Sequence, residues 1–194
     1  CNLFNGPLII PSNILKIGSE AFKGCSGFTG SLIIPDSVIE IGTYAFHECT
    51  GLNGTLTLPK KITKISPGSF HSCFNLIGQL KIPNSVNIID SFAFEKCSGF
   101  YGQLILSNSL TKINMYAFSK CENINGSLII PNSVTTLDKY VFNQCIGLNG
   151  ELILPENITQ ISDGTFYYCK NIQGQLKIPS KVKTIEDKAF SGCS

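Results

Sequence analysis

The sequence predicts a solenoid. It is a right-handed coil of eight 24-residue units, each giving one short parallel β-strand to a continuous sheet, with turns and short helical segments on the other side. Three observations predict it. The cysteines stand at 1, 25, 49, 73, 97, 121, 145, 169 and 193, so every spacing is 24 and none falls outside the series. Counting each cysteine as position 1, Gly fills position 6, Leu position 8 and Phe position 22 in all eight units. Positions 8 and 10 are apolar while 7 and 9 vary, which is the period of a strand. A fixed period between 20 and 50 residues is the mark of a solenoid, propeller or array.

Each element follows from the unit C-x-x-[LFI]-x-G-x-L-x-[IL]-P-x-x-[VIL]-x-x-[IL]-x-x-x-x-F-x-x. Gly at position 6 suits a tight bend. The strand follows over positions 7 to 10, and Pro at position 11, replaced once by Ser107, ends it because proline has no amide to donate. Strands 24 residues apart then pair about 4.8 Å from one another. Positions 14, 17, 22, 1 and 4 complete an inward apolar ring that a single coil cannot bury, so neighbouring coils must cover it. The chain reads as one array, 1–194, with units beginning at Cys1, Cys25, Cys49, Cys73, Cys97, Cys121, Cys145 and Cys169. It starts on Cys1, not Met, and stops at Cys193-Ser194, which reads as a piece of a longer protein without caps.

Composition narrows the function. Charged residues are 14 %, the net charge is +2, and hydrophobic residues are 43 %, so the chain is neither disordered nor a polyelectrolyte. All fifteen basic residues are lysine, and the absence of arginine argues against nucleic acid. Apolar runs such as Leu-Ile-Ile are too short to span a bilayer.

The segments L-x-[IL]-P, V-x-x-I and A-F-x-x-C occur together in SLIIPDSVIEIGTYAFHEC, residues 31–49, and recur along the whole chain. In these residues the unit resembles a leucine-rich repeat of the BspA-like class, found in surface proteins of bacteria and of protists such as Trichomonas and Entamoeba. The resemblance implies a secreted or cell-surface interaction protein, with a protein partner such as a host or extracellular-matrix protein, and no enzyme. It names no ligand.

In a solenoid, residues 24 apart stack on adjacent coils, so the cysteines form one column. Neighbouring Cα atoms about 5 Å apart would permit disulfides. However, nine is odd, and in-register side chains point the same way. A buried ladder of free thiols, Cys25, Cys49, Cys73, Cys97, Cys121, Cys145 and Cys169, is the favoured reading over disulfides. No C-x-x-C pair supports zinc.

No P-loop, G-x-S-x-G, H-E-x-x-H or G-x-G-x-x-G occurs, and no catalytic, cofactor or metal residue is assigned. His47, His71 and Glu95 share position 23. They form either a metal column or, as the plainer reading, a solvated column of variable residues. Asn53, Asn125 and Asn157 head N-glycosylation sequons, in a number that chance alone supplies.

Two outward columns are candidate protein-binding surfaces. Position 9 carries Ile105, Ile129 and Ile153 in succession, as an apolar stripe or as ordinary β-propensity. Position 20 carries Phe92, Tyr116 and Tyr140, as exposed interface aromatics or as lateral stacking that steadies the coil. A third candidate is the pair of uncapped ends, each the complement of the other. They would let copies stack head to tail into filaments as a self-assembling structural protein.

Overall fold

A computed structural model describes residues 4–193; Cys1 lies outside them. The short strands, in chain order, are β1 (Gly6–Pro7), β2 (Lys16–Ile17), β3 (Phe28–Thr29), β4 (Leu32–Ile33), β5 (Glu40–Ile41), β6 (Leu56–Thr57) and β7 (Lys64–Ile65). They continue with β8 (Ile88–Ile89), β9 (Lys112–Ile113), β10 (Gly126–Ile129), β11 (Thr136–Leu137), β12 (Leu148–Ile153), β13 (Gln160–Ile161) and β14 (Thr184–Ile185). Every pairing is parallel and joins one coil to the next. The molecule is a β-solenoid of about 24 residues per turn, as the spacing predicts.

Its sheets differ from the expectation in two respects. The most regular strand lies at positions 16–17, where all eight units contribute one. The strand expected over positions 7–10 forms at positions 8–9 only in β4, β6, β10 and β12, with one further bridge there at Lys81↔Ile105. The continuous sheet is therefore broken into six small ones, the largest running β7-β8-β9-β11. Most coils keep only two residues extended, β10 and β12 being the longer ones, so each interface carries few ladder bonds.

The second correction concerns the expected helical segments. Among the described residues no helix forms, and positions 18 to 25 are a chain of overlapping turns. Position 20 has φ between 54° and 61°, and position 24 between 56° and 77°, in every unit. These left-handed residues interrupt helical propagation and aim alternate amides in opposite directions. Where the fourth unit runs into the fifth, Ala93, Glu95 and Cys97 donate backward within their own turns, to Asp90 (3.2 Å), Phe92 (3.1 Å) and Phe94 (3.1 Å). Phe92, Phe94 and Lys96 donate forward to Met115 (3.0 Å), Ala117 (2.8 Å) and Ser119 (2.8 Å) on the next coil. A helix would keep all these bonds to itself and leave the coils unjoined.

The core lies between the turn face and the strand face. Phe22, Phe46, Phe70, Phe94, Phe118, Phe142, Phe166 and Phe190 stack ring on ring at 5.2 to 5.7 Å, within 8° of parallel. Leu32, Val38, Ile41 and their counterparts one coil further on close the ring around them. Burying one such side chain contributes about 1.5–3 kcal/mol, so the repeated column is the main stabilising feature.

Candidate functional site

The thiol column is built by the turn that ends each coil. All eight described cysteines are free, and those from Cys25 to Cys169 are buried. From Phe22 to Phe166 the carbonyl at position 22 sits at a junction: Phe70 accepts from the Cys73 amide at 3.2 Å and from the Cys97 thiol at 3.0 Å. The same thiol-to-carbonyl bond recurs from Cys49 to Cys193, at 2.9 to 3.2 Å. Cysteine thus packs as a small apolar group while its weak donor serves the carbonyl's second lone pair. Burial pushes the Cys49 thiol up to about 12 and raises Cys73, Cys97, Cys121, Cys145 and Cys169 as well. The thiolate that nucleophilic or metal chemistry needs is strongly disfavoured there.

Position 23 is not a solvated column. His71 and Glu95 side chains are only 19 % and 15 % exposed, with Nε2 and Oε2 3.4 Å apart. The His47 ring lies 4.7 Å from the His71 ring and its Nδ1 meets the His71 carbonyl at 3.2 Å. Burial first, and His47 second, lowers the His71 pKa to about 4, while burial raises that of Glu95. Position 23 precedes a left-handed residue in every unit, a backbone feature that residue type alone does not reveal. Among the described residues, no group of three or more His, Cys, Asp or Glu is arranged to hold a metal ion.

On the outward face of the strand side, Ile105, Ile129 and Ile153 follow one another, 39 %, 47 % and 45 % exposed. Ile129 and Ile153 are direct partners in the β10–β12 pair. Lys81 and Lys177 bracket the three in the same column. Beside it the column at position 7 is held flat: the Gln79 amide donates to the Gln103 carbonyl at 2.9 Å, and the Gln103 amide to the Ser127 carbonyl at 3.2 Å. Sequence reasoning missed Ile77 and Tyr101, exposed at position 5, a column otherwise of Asn, Thr and Gln. That break in the column was the available signal.

Phe92, Tyr116 and Tyr140 lie on a different face, each half-buried at left-handed position 20. Their rings stack at 5.4 and 5.1 Å, so ring faces meet each other and edges face solvent. Tyr140 ends the stack over Gly164, where a Cβ would enter its ring, and its hydroxyl donates to the Asp163 carboxylate at 3.1 Å. The sequon residues Asn53, Asn125 and Asn157 are all exposed. Asn53 Oδ1 accepts from the Gly30 amide at 2.8 Å, and Asn157 donates to the Asn132 carbonyl at 3.0 Å. No helix among the described residues is long and apolar enough to cross a membrane.

The model of the BspA type leucine-rich repeat region matches residues 1–124 and 76–194, in six copies. A search of curated proteins finds no match. Among solved structures, the chain is similar to the leucine-rich repeat protein TpLRR of T. pallidum, at 28 % identity and a TM-score of 0.64, over 95 % of this chain and 74 % of that one. It is also similar to a leucine-rich repeat protein from Bacteroides ovatus, at 25 % identity and a TM-score of 0.64, over 95 % and 57 %. A third, the pneumococcal vaccine antigen PcpA, shares the fold at 20 % identity and a TM-score of 0.55, over 92 % and 56 %. The chain therefore spans little more than half the length of the last two. With family matches running from the first residue to the last, and thiol, phenylalanine and turn columns that repeat with the same period, this chain belongs to the BspA type leucine-rich repeat family.

Proposed function

We propose that the chain is a non-catalytic scaffold of a secreted or cell-surface protein, and that the Ile105–Ile129–Ile153 stripe is the face by which it binds a protein partner in adhesion. The stripe carries the reading. Three isoleucines on successive coils keep between a third and a half of their surface in water, a contiguous apolar patch of the kind that marks interaction sites. Lysines at both ends give it a polar rim. The family's repeat architecture and the inertness of the buried thiols support a scaffold over an enzyme. The aromatic ladder of Phe92, Tyr116 and Tyr140 is assigned to lateral stability, because its ring faces are already spent on one another. A host or extracellular-matrix protein is the partner class this reading favours, and glycans at Asn53, Asn125 or Asn157 would decorate it in a eukaryotic secretory route.

The test is binding of the labelled chain to cells and to immobilised matrix proteins, before and after the targets are treated with protease. Saturable binding that protease abolishes is expected. Absence of saturable binding, or binding indifferent to protease, refutes the reading. A second reading is self-assembly, favoured by the end coils, where the core-position residues Phe4, Leu176 and Ile185 are 61 %, 43 % and 53 % exposed. Growth of rods with concentration would support it, and a monomer at high concentration would remove it for this chain.

A further inference from the structure

The 24-residue period conceals a longer one. We infer that the architectural unit is a pair of coils, 48 residues, and that the residue at position 3 decides which coil can follow which. Coil 2 is residues 25–48, coil 3 is 49–72, and so on to coil 8, 169–192.

The carbonyl at position 2 of one coil meets position 3 of the next, and from coil 3 onward the chain handles it in two alternating ways. Coil 2, with Gly27 at position 3, precedes another glycine coil and stands outside the alternation. Between coils 3 and 4, 5 and 6, and 7 and 8, an asparagine reaches back to that carbonyl. Asn75 donates to Thr50 (2.7 Å), Asn123 to Ser98 (2.8 Å) and Asn171 to Ile146 (2.7 Å). Between coils 2 and 3, 4 and 5, and 6 and 7, position 3 is Gly51, Gly99 and Gly147. There the carbonyl approaches so closely that a Cβ on Gly99 would lie 2.5 Å from the Phe74 oxygen, and one on Gly147 2.5 Å from the Glu122 oxygen. A Cβ on Gly51 would collide with the Ser26 oxygen.

Two independent features keep the same alternation. A side-chain oxygen at position 12 clamps the next coil's amide only at the glycine interfaces. Asp36 accepts from Lys60 (2.9 Å), Asn84 from Asn108 (3.3 Å) and Asn132 from Glu156 (3.0 Å). Position 10 amides likewise cross to position 9 carbonyls there: Ile34 to Thr57 (3.0 Å), Ile82 to Ile105 (2.8 Å) and Ile130 to Ile153 (3.0 Å). Among the described residues neither bond spans an asparagine interface. Between coils 3 and 4 the strand side instead opens a cleft of about 310 Å³ lined by Leu56, Thr57, Gln79, Lys81 and Pro83. Coils are therefore clamped in pairs, and the pairs are tied together by asparagine.

The rule forbids one neighbour: an asparagine coil seated on an asparagine coil. Deleting coil 5 alone, residues 97–120, seats Asn123 on the coil of Asn75. Deleting coils 5 and 6, residues 97–144, seats Gly147 there and keeps the alternation. If coils were interchangeable, stability would follow their number, and the longer variant would melt higher. The paired unit predicts the reverse: the 97–144 deletion melts at the higher temperature although it is one coil shorter. It also predicts that Asn123→Gly changes sign, lowering the melting temperature of the full chain and raising that of the 97–120 deletion. If the 97–120 deletion does not fold, Asn123→Gly must restore folding. Melting temperatures that follow coil number, or an Asn123→Gly effect that is unfavourable in both settings, would overturn the inference.

Discussion

The chain has two histidines, and the structure gives His71 a titration that nuclear magnetic resonance can read directly. Its side chain is 19 % exposed beside Glu95, and burial, then His47, then Lys96, lowers its pKa from 6.5 to about 4. The imidazole is thus neutral in the fold at pH values where the unfolded chain is already protonated. For a group whose folded pKa is depressed in this way, the unfolded state binds more protons between the two values. Stability is therefore undiminished above pH 6.5, falls as the pH drops toward 4, and levels off below it. A displacement of that size corresponds to about 3 kcal/mol, an order-of-magnitude figure for a largely buried group. Glu95, whose pKa burial raises, acts with the opposite sign: its burial cost is relieved as it takes up a proton, which offsets part of the loss at the acid end. The assay is the proton chemical shift of each imidazole against pH, with denaturant midpoints of the wild type and His71→Gln at pH 7.5 and 4. His71 should titrate about two units or more below 6.5, and the wild type should lose more stability than His71→Gln on acidification. A His71 pKa at or above 6.5, or equal losses in both proteins, would refute the reasoning.

Three further outcomes follow from the same geometry. In the native protein at pH 8, thiols from Cys25 to Cys169 should resist a thiol-specific disulfide reagent while, among the described thiols, half-buried Cys193 reacts first. Rapid modification of Cys97 without unfolding would contradict the ladder. Phe118→Ala opens a hole in the phenylalanine stack and should cost about 3–5 kcal/mol, read as a fall in the denaturant midpoint; a loss below about 1 kcal/mol would show that the stack contributes little. Gly24→Ala meets no atom within 4 Å and should cost only the left-handed strain at φ 68°, about 1 kcal/mol. Gly164→Ala must also displace the Tyr140 ring. It should cost distinctly more, and equal melting temperatures for the two variants would count against ring-on-backbone packing.

Much of this architecture can be read from residues alone, because in a solenoid the sequence period is the spatial period. The cysteine spacing gives the coil, and the invariant Phe at position 22 gives the buried stack. What stayed hidden depends on bonds between coils. The strand at 16–17 has one inward residue, at 17, three places after inward position 14, a spacing that shows no alternation. The left-handed backbone at position 20 is Gly only at Gly68 and Gly164, and elsewhere Glu, Lys, Phe or Tyr. Hydrogen bonds to the next coil stabilise a conformation that the side chain disfavours, so residue type does not announce it. The same turns account for the missing helices. The alternation of Asn75, Gly99, Asn123, Gly147 and Asn171 is visible in the chain but lies beneath the stronger 24-residue signal.

The most direct test of the proposed scaffold compares two isoleucines, one inside the stripe and one outside it. Ile129 is 47 % exposed in the stripe at position 9, and Ile39 is 51 % exposed at position 15. Each is replaced by lysine, and saturable binding to the protease-sensitive target is measured with melting temperature as the control. Ile129→Lys should weaken binding at least tenfold with the melting temperature unchanged, and Ile39→Lys should bind like the wild type. Undiminished binding by Ile129→Lys, or equal losses in both variants, would contradict the stripe as the binding face.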